Sequence, residues 1–278
     1  MYIEERAFDG EGKYYVRVYV QDETPEIPLS HKRPMVVVCP GGGYCGTSDR
    51  EAEPIALAYI AAGFNAALVR YPVGNDAAWP APQVAVSKAL KYIRANSERF
   101  LTDPQKIAVC GFSAGGHLAA SMGVHWNDPA VRAGSGCYEG ENRPDALILA
   151  YPVITGVGET HSGTIDTLIR EYVGTPEYGK MREYVSNERY VKQGITPPAF
   201  IFSTWEDNAV PIINSVLFAK ALAEEHIPAE VHIFQKGAHG VALADHRTYI
   251  VPANLAPDSV QWMSLSTDWL WNLFGKIC

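Results

Sequence analysis

Apolar runs and amphipathic stretches alternate along most of the chain. The segment "KYYVRVYVQ" (13–21) alternates apolar and polar residues with the two-residue period of a strand that exposes one face. The runs 34–40 and 64–72 are continuously apolar, which is typical of strands covered on both faces. Further strands are predicted at 106–110, 145–154, 198–205 and 230–235.

Helical patterns separate these predicted strands. In the stretch 82–96, Ala85, Leu90 and Ile93 fall on one apolar face. The other predicted helices cover 51–63, an alanine-rich stretch that ends near 125, 213–226 and 263–274. Such alternation of strands and helices predicts an α/β fold, with a mainly parallel sheet flanked by helices on both faces.

One segment, 155–196, interrupts the alternation. It is polar, rich in glycine and without a strong period. We therefore expect a small insertion above the sheet rather than a second domain. The prediction is a single domain over residues 1–278, with this insertion over the functional site.

Composition excludes several classes of protein. The 278 residues are 47% hydrophobic and 19% charged, unlike a disordered chain or a membrane protein. A net charge of −8 argues against a nucleic-acid partner, because phosphates would be repelled. No apolar run is long enough to span a membrane, and the start lacks the pattern of a signal peptide.

Cysteine and motif usage narrows the expectation further. The five cysteines are an odd number with no C-x-x-C pair, which favours free thiols in a reducing compartment and a cytoplasmic protein. No H-E-x-x-H pattern, Cys/His cluster or P-loop is present, so neither a metal nor another cofactor is predicted. The apolar run 269–278 is either a core helix or a contact surface, so a homo-oligomer stays open.

A serine stands between a predicted strand and a predicted helix. The stretch Gly111-Phe112-Ser113-Ala114-Gly115 fits G-x-S-x-G, the turn that lifts a nucleophile from a strand end onto a helix N-terminus. We expect glycine at both flanking positions because side chains there would collide with neighbouring backbone, and because glycine tolerates strained dihedrals. The alternative is a glycine-rich loop that contains an incidental serine.

Attack by such a serine on an acyl carbon produces an oxyanion, which needs hydrogen-bond donors. The N–H of Ala114 is one candidate donor. "PGGGY" (40–44) follows the strand 34–39, and we expect the N–H groups of Gly42 and Gly43 to supply the others. By itself this block would be read as a plain glycine-rich turn.

The serine also needs a base and an acid that orients the base. Asp207, in the spacing D-x-x-V-P just past the strand 198–205, is preferred to Glu206 as the acid. His239, in a glycine-flanked loop after the last predicted strand, is preferred to His246 as the base. Without the serine, Asp207 would be read as a helix-capping residue.

Other residues receive secondary roles. Tyr44, Trp79 and the run 161–169 are candidate walls of a substrate pocket, although Trp79 fits loop packing equally well. His117 is expected to pack under the serine turn and His125 to lie at the surface.

Five blocks in order carry a family resemblance. They read "CPGGGYCGTSDREAEPIA", "RYPVG", "GFSAGGHLAA", "TPPAFIFSTWEDNAVPIINSVLFAKAL" and "EVHIFQKGAHGVAL". Over roughly residues 34 to 245 the chain resembles α/β-hydrolases of the hormone-sensitive-lipase-like branch, most closely bacterial acetylesterases related to acetyl xylan esterases. It departs from that pattern at Pro40, where members have histidine, and at Trp205-Glu206 within the acid block. Trp205 is therefore a candidate substrate-binding residue.

The resemblance implies an α/β-hydrolase fold and hydrolysis of a small-molecule ester. Ser113 would be the nucleophile, His239 the base and Asp207 the orienting acid. The short insertion favours an acetyl group, with an acetylated sugar as the substrate that the resemblance suggests. Two alternatives stay open: an amide-cleaving enzyme such as an arylformamidase or small peptidase, and a hydrolase-fold binding protein without activity.

Overall fold

The computed structural model describes residues 1–275. Within these residues the chain forms eight strands and eight α-helices. The strands are β1 (Tyr2–Ala7), β2 (Tyr15–Val20), β3 (Arg33–Cys39), β4 (Asn65–Arg70), β5 (Thr102–Phe112), β6 (Ala146–Ala150), β7 (Ala199–Thr204) and β8 (Ala229–Phe234). The helices are α1 (Glu53–Ala61), α2 (Ala81–Ala95), α3 (Ala114–His125), α4 (Pro129–Ser135), α5 (Ser162–Leu168), α6 (Tyr178–Tyr184), α7 (Ile213–Glu224) and α8 (Trp262–Phe274).

All eight strands belong to one sheet in the order β1-β2-β4-β3-β5-β6-β7-β8. The pairs β1–β2 and β2–β4 are antiparallel, and the strands from β4 to β8 along the sheet are parallel. Because parallel strands point the same way, the loops after β3, β5, β6, β7 and β8 all leave one edge of the sheet. In open α/β sheets this carboxyl edge is where ligands bind.

Helices cover both faces of the sheet, because alternate residues of each central strand point to opposite faces. In β3, Val37 packs into the core under α2, α3 and α7, whereas Val36 and Val38 pack into the core under α1 and α8. All seven residues of β3 are buried. The strand therefore reads as continuously apolar, as a doubly covered strand must.

The predicted fold class is confirmed, and each predicted strand and helix is present with ends shifted by at most four residues. Two ends shift by four residues: β5 begins at Thr102 where the prediction began at 106, and the predicted strand 145–154 ends as β6 at Ala150. Tyr151 has φ +37°, a left-handed conformation that a strand cannot accommodate.

One strand and three α-helices within residues 1–275 were not predicted from the sequence: β1, α4, α5 and α6. β1 is an edge strand whose side chains are almost all exposed, so its sequence lacks the alternation of a half-buried strand. α4 has a readable signature that the sequence reasoning missed. Asp128 caps it by accepting the N–H groups of Ala130 and Val131, Pro129 occupies its first turn, and Gly136 ends it in the left-handed conformation.

The segment 155–196 contains α5, α6 and two short 3₁₀ turns. Each helix has seven residues, too few turns to establish a period in the sequence.

At the C-terminus, Trp262 and Leu270 of α8 are buried in the core. The last three residues of the predicted 269–278 run, including Cys278, lie outside the described residues. Of the cysteines, Cys39, Cys45, Cys110 and Cys137 are free thiols. Among residues 1–275, no helix combines the length and the hydropathy needed to cross a membrane.

Trp262 provides a test of the core under α8. Its indole stacks on Phe202 of β7 at 4.5 Å between ring centroids, and its Nε1–H donates to the Ala242 carbonyl at 2.9 Å. Trp262→Ala should lower the free energy of unfolding by about 3–5 kcal/mol, because it removes fully buried contacts and leaves a cavity. Urea denaturation measures this loss.

The matched control is Trp205→Ala, since that indole is 65% exposed. It should change the free energy of unfolding by no more than about 0.5 kcal/mol. Equal losses from both substitutions would contradict the description of this core.

Candidate active site

Ser113 occupies a sharp turn between β5 and α3. Its φ of +53° is rare for a residue with a side chain, and the surrounding structure holds it there. The Ser113 N–H donates to the Ala150 carbonyl at 3.0 Å, and the Ser113 carbonyl accepts the N–H groups of His117 and Val153. The turn is thus fastened to the end of β6, and the hydroxyl faces a cavity.

The glycines around this serine are required for space. A Cβ at Gly111 would lie 2.0 Å from the Gly115 carbonyl oxygen, and a Cβ at Gly115 would lie 2.1 Å from the Cys39 carbonyl oxygen. The expectation that these glycines also carry strained dihedrals is wrong. The strained residue is Ser113 itself. The two glycines are needed because neighbouring backbone packs too closely against the turn to leave space for a side chain.

Three side chains from distant parts of the chain form a hydrogen-bonded series. His239 Nε2 lies 2.8 Å from Ser113 Oγ, and His239 Nδ1 lies 2.7 Å from Asp207 Oδ2. A carboxylate oxygen only accepts, so in the neutral ring the proton sits on Nδ1 and Nε2 faces the serine hydroxyl with its lone pair. The arrangement therefore has the geometry for a base beside a hydroxyl.

Asp207 is fixed on both of its oxygens. Oδ2 bonds His239, while Oδ1 accepts the N–H groups of Ala209 at 2.9 Å and Val210 at 2.8 Å. The side chain is only 2% exposed. The helix-capping alternative is wrong, because α7 begins only at Ile213 and the amides bonded to Asp207 lie in the loop before it. The carboxylate organises its own loop and orients the imidazole.

The loop after β3 supplies amide donors beside the serine. Its close approach is seen at Gly41, where a Cβ would lie 3.0 Å from Ser113 Cβ. Gly42 has φ +134°, a conformation open to glycine, and a Cβ there would lie 2.3 Å from the Gly46 carbonyl oxygen. Within residues 1–275, the N–H groups of Gly42, Gly43 and Ala114 have no protein acceptor. They are free for a substrate oxygen.

A cavity of about 430 Å³ opens over Ser113 and His239. Its walls are mainly polar or small residues. The other lining residues are Gly42, Gly43, Cys45, Ser48, Arg50, Glu51, His161, Thr164, Ala209 and Gly240. His161 and Thr164 come from the predicted pocket wall 161–169, and they contact each other through His161 Nδ1 and Thr164 Oγ1 at 2.9 Å.

Tyr44 is not a wall of this cavity, which corrects the prediction. It is fully buried beneath the loop after β3, and its O–H donates to His117 Nδ1 at 3.0 Å. His117 Nε2–H donates to the Val185 carbonyl at 2.8 Å, which fixes the tautomer. Burial lowers the pKa of His117 to about 4, so the ring is neutral and accepts from the tyrosine. His117 packs under the serine turn, as the sequence predicted.

Two tryptophans proposed as pocket residues also lie elsewhere. Trp79 packs edge-on against His125 and Tyr184, so its loop-packing alternative describes it. Trp205 follows β7 as an exposed side chain outside the cavity lining. His125 is buried among aromatic rings, against the expectation of a surface position, and desolvation lowers its pKa to about 4.

The two runner-up residues take no part in the hydrogen-bonded series. Glu206 is exposed and lines a separate depression with Lys236. His246 is exposed and its ring lies against Tyr249.

Sequence reasoning missed three residues around the cavity. The sequence pattern predicts Glu51 at the start of a helix, and no motif marks Arg50 or Tyr151. In the structure Glu51 is buried and accepts two hydrogen bonds from separate loops. Only the fold brings these partners together, since Glu51 and Tyr151 are a hundred residues apart in sequence. Among residues 1–275, no group of three or more His, Cys, Asp or Glu side chains is arranged to hold a metal ion.

The mostly parallel eight-stranded sheet with helices on both faces is an α/β-hydrolase fold. The profile of the BD-FAE family matches residues 25–222. The chain therefore belongs to the BD-FAE family, an α/β-hydrolase family of esterases.

Known proteins similar to this chain include one curated relative and two solved structures. Endo-1,4-beta-xylanase B of Butyrivibrio fibrisolvens is 38% identical over 77% of this chain and 33% of its own length. An acetyl ester-xyloside bifunctional hydrolase of Caldicellulosiruptor lactoaceticus is 32% identical, with a TM-score of 0.77 and coverage of 95% of this chain and 89% of that one. The carboxylesterase Cest-2923 of Lactobacillus plantarum is 28% identical, with a TM-score of 0.82 and coverage of 98% of both chains. The chain spans a third of the length of that curated relative.

The close packing at Gly115 predicts a large effect of one methyl group. In Gly115→Ala the new Cβ would meet the carbonyl oxygens of Cys39 at 2.1 Å and Pro40 at 2.4 Å, and neither backbone atom can yield cheaply. The free energy of unfolding should fall by about 3 kcal/mol or more in urea denaturation.

The matched control is Gly179→Ala in α6, where a Cβ meets nothing within 4 Å. That change should leave stability unchanged or raise it by up to about 1 kcal/mol, because alanine favours a helix. Wild-type stability in Gly115→Ala would refute the packing argument.

Proposed function

We propose that this chain hydrolyses short-chain carboxylic esters through an acyl-enzyme formed on Ser113. The observation that carries the proposal is the hydrogen-bonded series from Asp207 through His239 to Ser113, with both links under 3 Å. Gly42 and Gly43, whose N–H groups have no acceptor among residues 1–275, line the same cavity as Ser113. Membership of an esterase family and the names of the similar proteins support the same class of reaction.

The proposed reaction has two steps. His239 Nε2 takes the proton of Ser113 while Oγ attacks the ester carbon, and the carbonyl oxygen becomes an anion facing the N–H groups of Gly42, Gly43 and Ala114. The imidazolium then gives its proton to the leaving alcohol. In the second step His239 takes a proton from water, the hydroxide attacks the acyl carbon, and the acid departs as Ser113 recovers its proton. Asp207 stabilises the imidazolium in both steps.

The preferred acyl group is acetyl. Among the described residues that line the cavity, Ala209 and Cys45 are the weakly apolar side chains, and they offer too little surface to bind a long acyl chain. The similar hydrolase of Caldicellulosiruptor lactoaceticus is named for an acetyl ester and a xyloside. We propose an acetylated sugar as the natural substrate, because polar lining side chains such as Ser48, Arg50 and His161 can hydrogen-bond a hydroxyl-rich alcohol.

The segment 155–196 is proposed as a small cap within the same domain. Two contacts fasten it to α3: the Val185 carbonyl accepts from His117 Nε2–H, and Asn187 Nδ2–H donates to the His117 carbonyl at 3.0 Å. From that anchor it presents His161 and Thr164 to the cavity.

Replacement of the nucleophile tests the reaction. With p-nitrophenyl acetate, Ser113→Ala should lower kcat by at least about 10⁴-fold, because the attacking oxygen is lost. Ser264→Ala, an exposed serine on α8, is the control and should retain wild-type kcat. Full turnover by Ser113→Ala would remove this residue from the mechanism.

A substrate panel tests the class of bond and the acyl length. The value of kcat/KM should be highest for p-nitrophenyl acetate, lower for the butyrate and lowest for the octanoate. Formylated and aminoacyl anilides should react more slowly than the acetate. Faster anilide turnover would replace the proposal with an amide-cleaving enzyme, and a preference for octanoate would overturn the acetyl assignment.

A further inference from the structure

A buried carboxylate connects the loops that carry the proposed oxyanion donors and the proposed base. Glu51 lies at the edge of the cavity and is only 3% exposed. Its Oε2 accepts the N–H of Gly41 at 2.9 Å, and its Oε1 accepts the O–H of Tyr151 at 2.8 Å. The oxygen of Tyr151 in turn accepts the N–H of Ala242 at 3.0 Å.

Two residues, Tyr151 and Arg50, hold the loop that carries His239. The Tyr151 ring lies edge-on to the His239 ring, with 5.2 Å between centroids, and its hydroxyl holds Ala242 three residues further on. Arg50, next to Glu51, donates to the Gly240 carbonyl at 2.7 Å and the Thr248 carbonyl at 3.2 Å. Arg50 therefore holds Gly240, and Tyr151 connects Ala242 to Glu51.

The character of Glu51 favours a role in positioning over space filling. Among residues 1–275 both donors to its carboxylate are neutral, and burial of a carboxylate that is not paired with a cation costs free energy. A well-packed apolar side chain of similar volume would fill the same space at lower cost. The carboxylate has one property that an apolar side chain lacks: two separate acceptor oxygens that face two different loops.

We infer that Glu51 is a positioning residue, which holds the loop of Gly41 to Gly43 and the loop of His239 in register with Ser113. The inference rests on the proposed ester hydrolysis and assigns Glu51 no contact with the reacting atoms. Misplacement of a reacting group by about 1 Å costs about 100-fold in rate. Fixing both loops before substrate arrives therefore acts on the transition state more than on binding of the ester.

Glu51→Gln is the informative change. The amide has one oxygen where the carboxylate has two, so Gly41 or Tyr151 loses its acceptor while size and shape are kept. With p-nitrophenyl acetate, kcat should fall by about 10- to 100-fold and KM should stay within about twofold. The inhibition constant for phenylboronic acid, whose tetrahedral adduct with Ser113 places an oxygen at the amide donors, should rise by a similar factor.

Glu53→Gln is the matched control. Glu53 is an exposed carboxylate two residues away that accepts a hydrogen bond from Tyr19, outside the cavity. It should keep the wild-type kcat and the wild-type affinity for the boronic acid.

Tyr151→Phe is a second variant that tests the same connection if Glu51→Gln does not fold. It removes only the hydroxyl between Glu51 and Ala242, and kcat should again fall by about 10-fold with little change in KM. The double variant should be close to Glu51→Gln alone, because both substitutions interrupt one path.

Three outcomes separate the two proposals. An inactive wild-type chain would reject the proposed ester hydrolysis, and with it the role of Glu51. An active wild-type chain with unchanged kcat and boronic-acid affinity in Glu51→Gln and Tyr151→Phe would reject the positioning role alone. A rise in KM at constant kcat would also reject it, since it would indicate direct contact of Glu51 with the substrate.

Discussion

The structure depends on the close approach between the end of β3 and the first turn of α3. The carbonyl oxygens of Cys39 and Pro40 lie where a Cβ of residue 115 would be, so the helix start can reach them only with glycine at that position. This contact places the loop after β3 beside the turn of Ser113. The N–H groups of Gly42 and Gly43 are thereby brought near Ser113. The N–H of Ala114, the residue after Ser113, belongs to the same turn.

The same approach explains why Ser113 can hold an unfavourable backbone conformation. A positive φ on a residue with a side chain costs on the order of 1–3 kcal/mol and persists only where neighbours enforce it. Here the hydrogen bonds to Ala150 and Val153 hold the turn against the end of β6 and the residues that follow it. The Gly115 carbonyl packs closely against Gly111 on the other side of the turn. In this conformation the Ser113 hydroxyl lies 2.8 Å from His239 Nε2.

Most of the fold was predictable, because its signals are local. The doubly covered strands, including β3 and β4, read as apolar runs, and the G-x-S-x-G turn fixed the position of Ser113 between strand and helix. Asp207 and His239 followed from their place after β7 and β8 at the carboxyl edge of a parallel sheet. The structure brings these three side chains together.

What the sequence did not reveal depends on contacts between distant residues. Tyr44 stands in a glycine loop, as a pocket residue would, but it is buried, and its partner His117 lies 73 residues away on α3. The partners of Glu51 lie ten and a hundred residues away, so no spacing identifies it. Edge strand β1 and the seven-residue helices α5 and α6 have too few buried positions to produce a period.

The central claim is that Ser113 is an activated nucleophile within the folded chain. A fluorophosphonate probe tests it directly: the serine oxygen displaces fluoride from phosphorus, the proton leaves with the fluoride, and mass spectrometry locates the adduct. We expect a single adduct on the peptide that contains Ser113, and much slower labelling after His239→Ala. An unlabelled folded protein, or labelling at another residue at the wild-type rate, would contradict it.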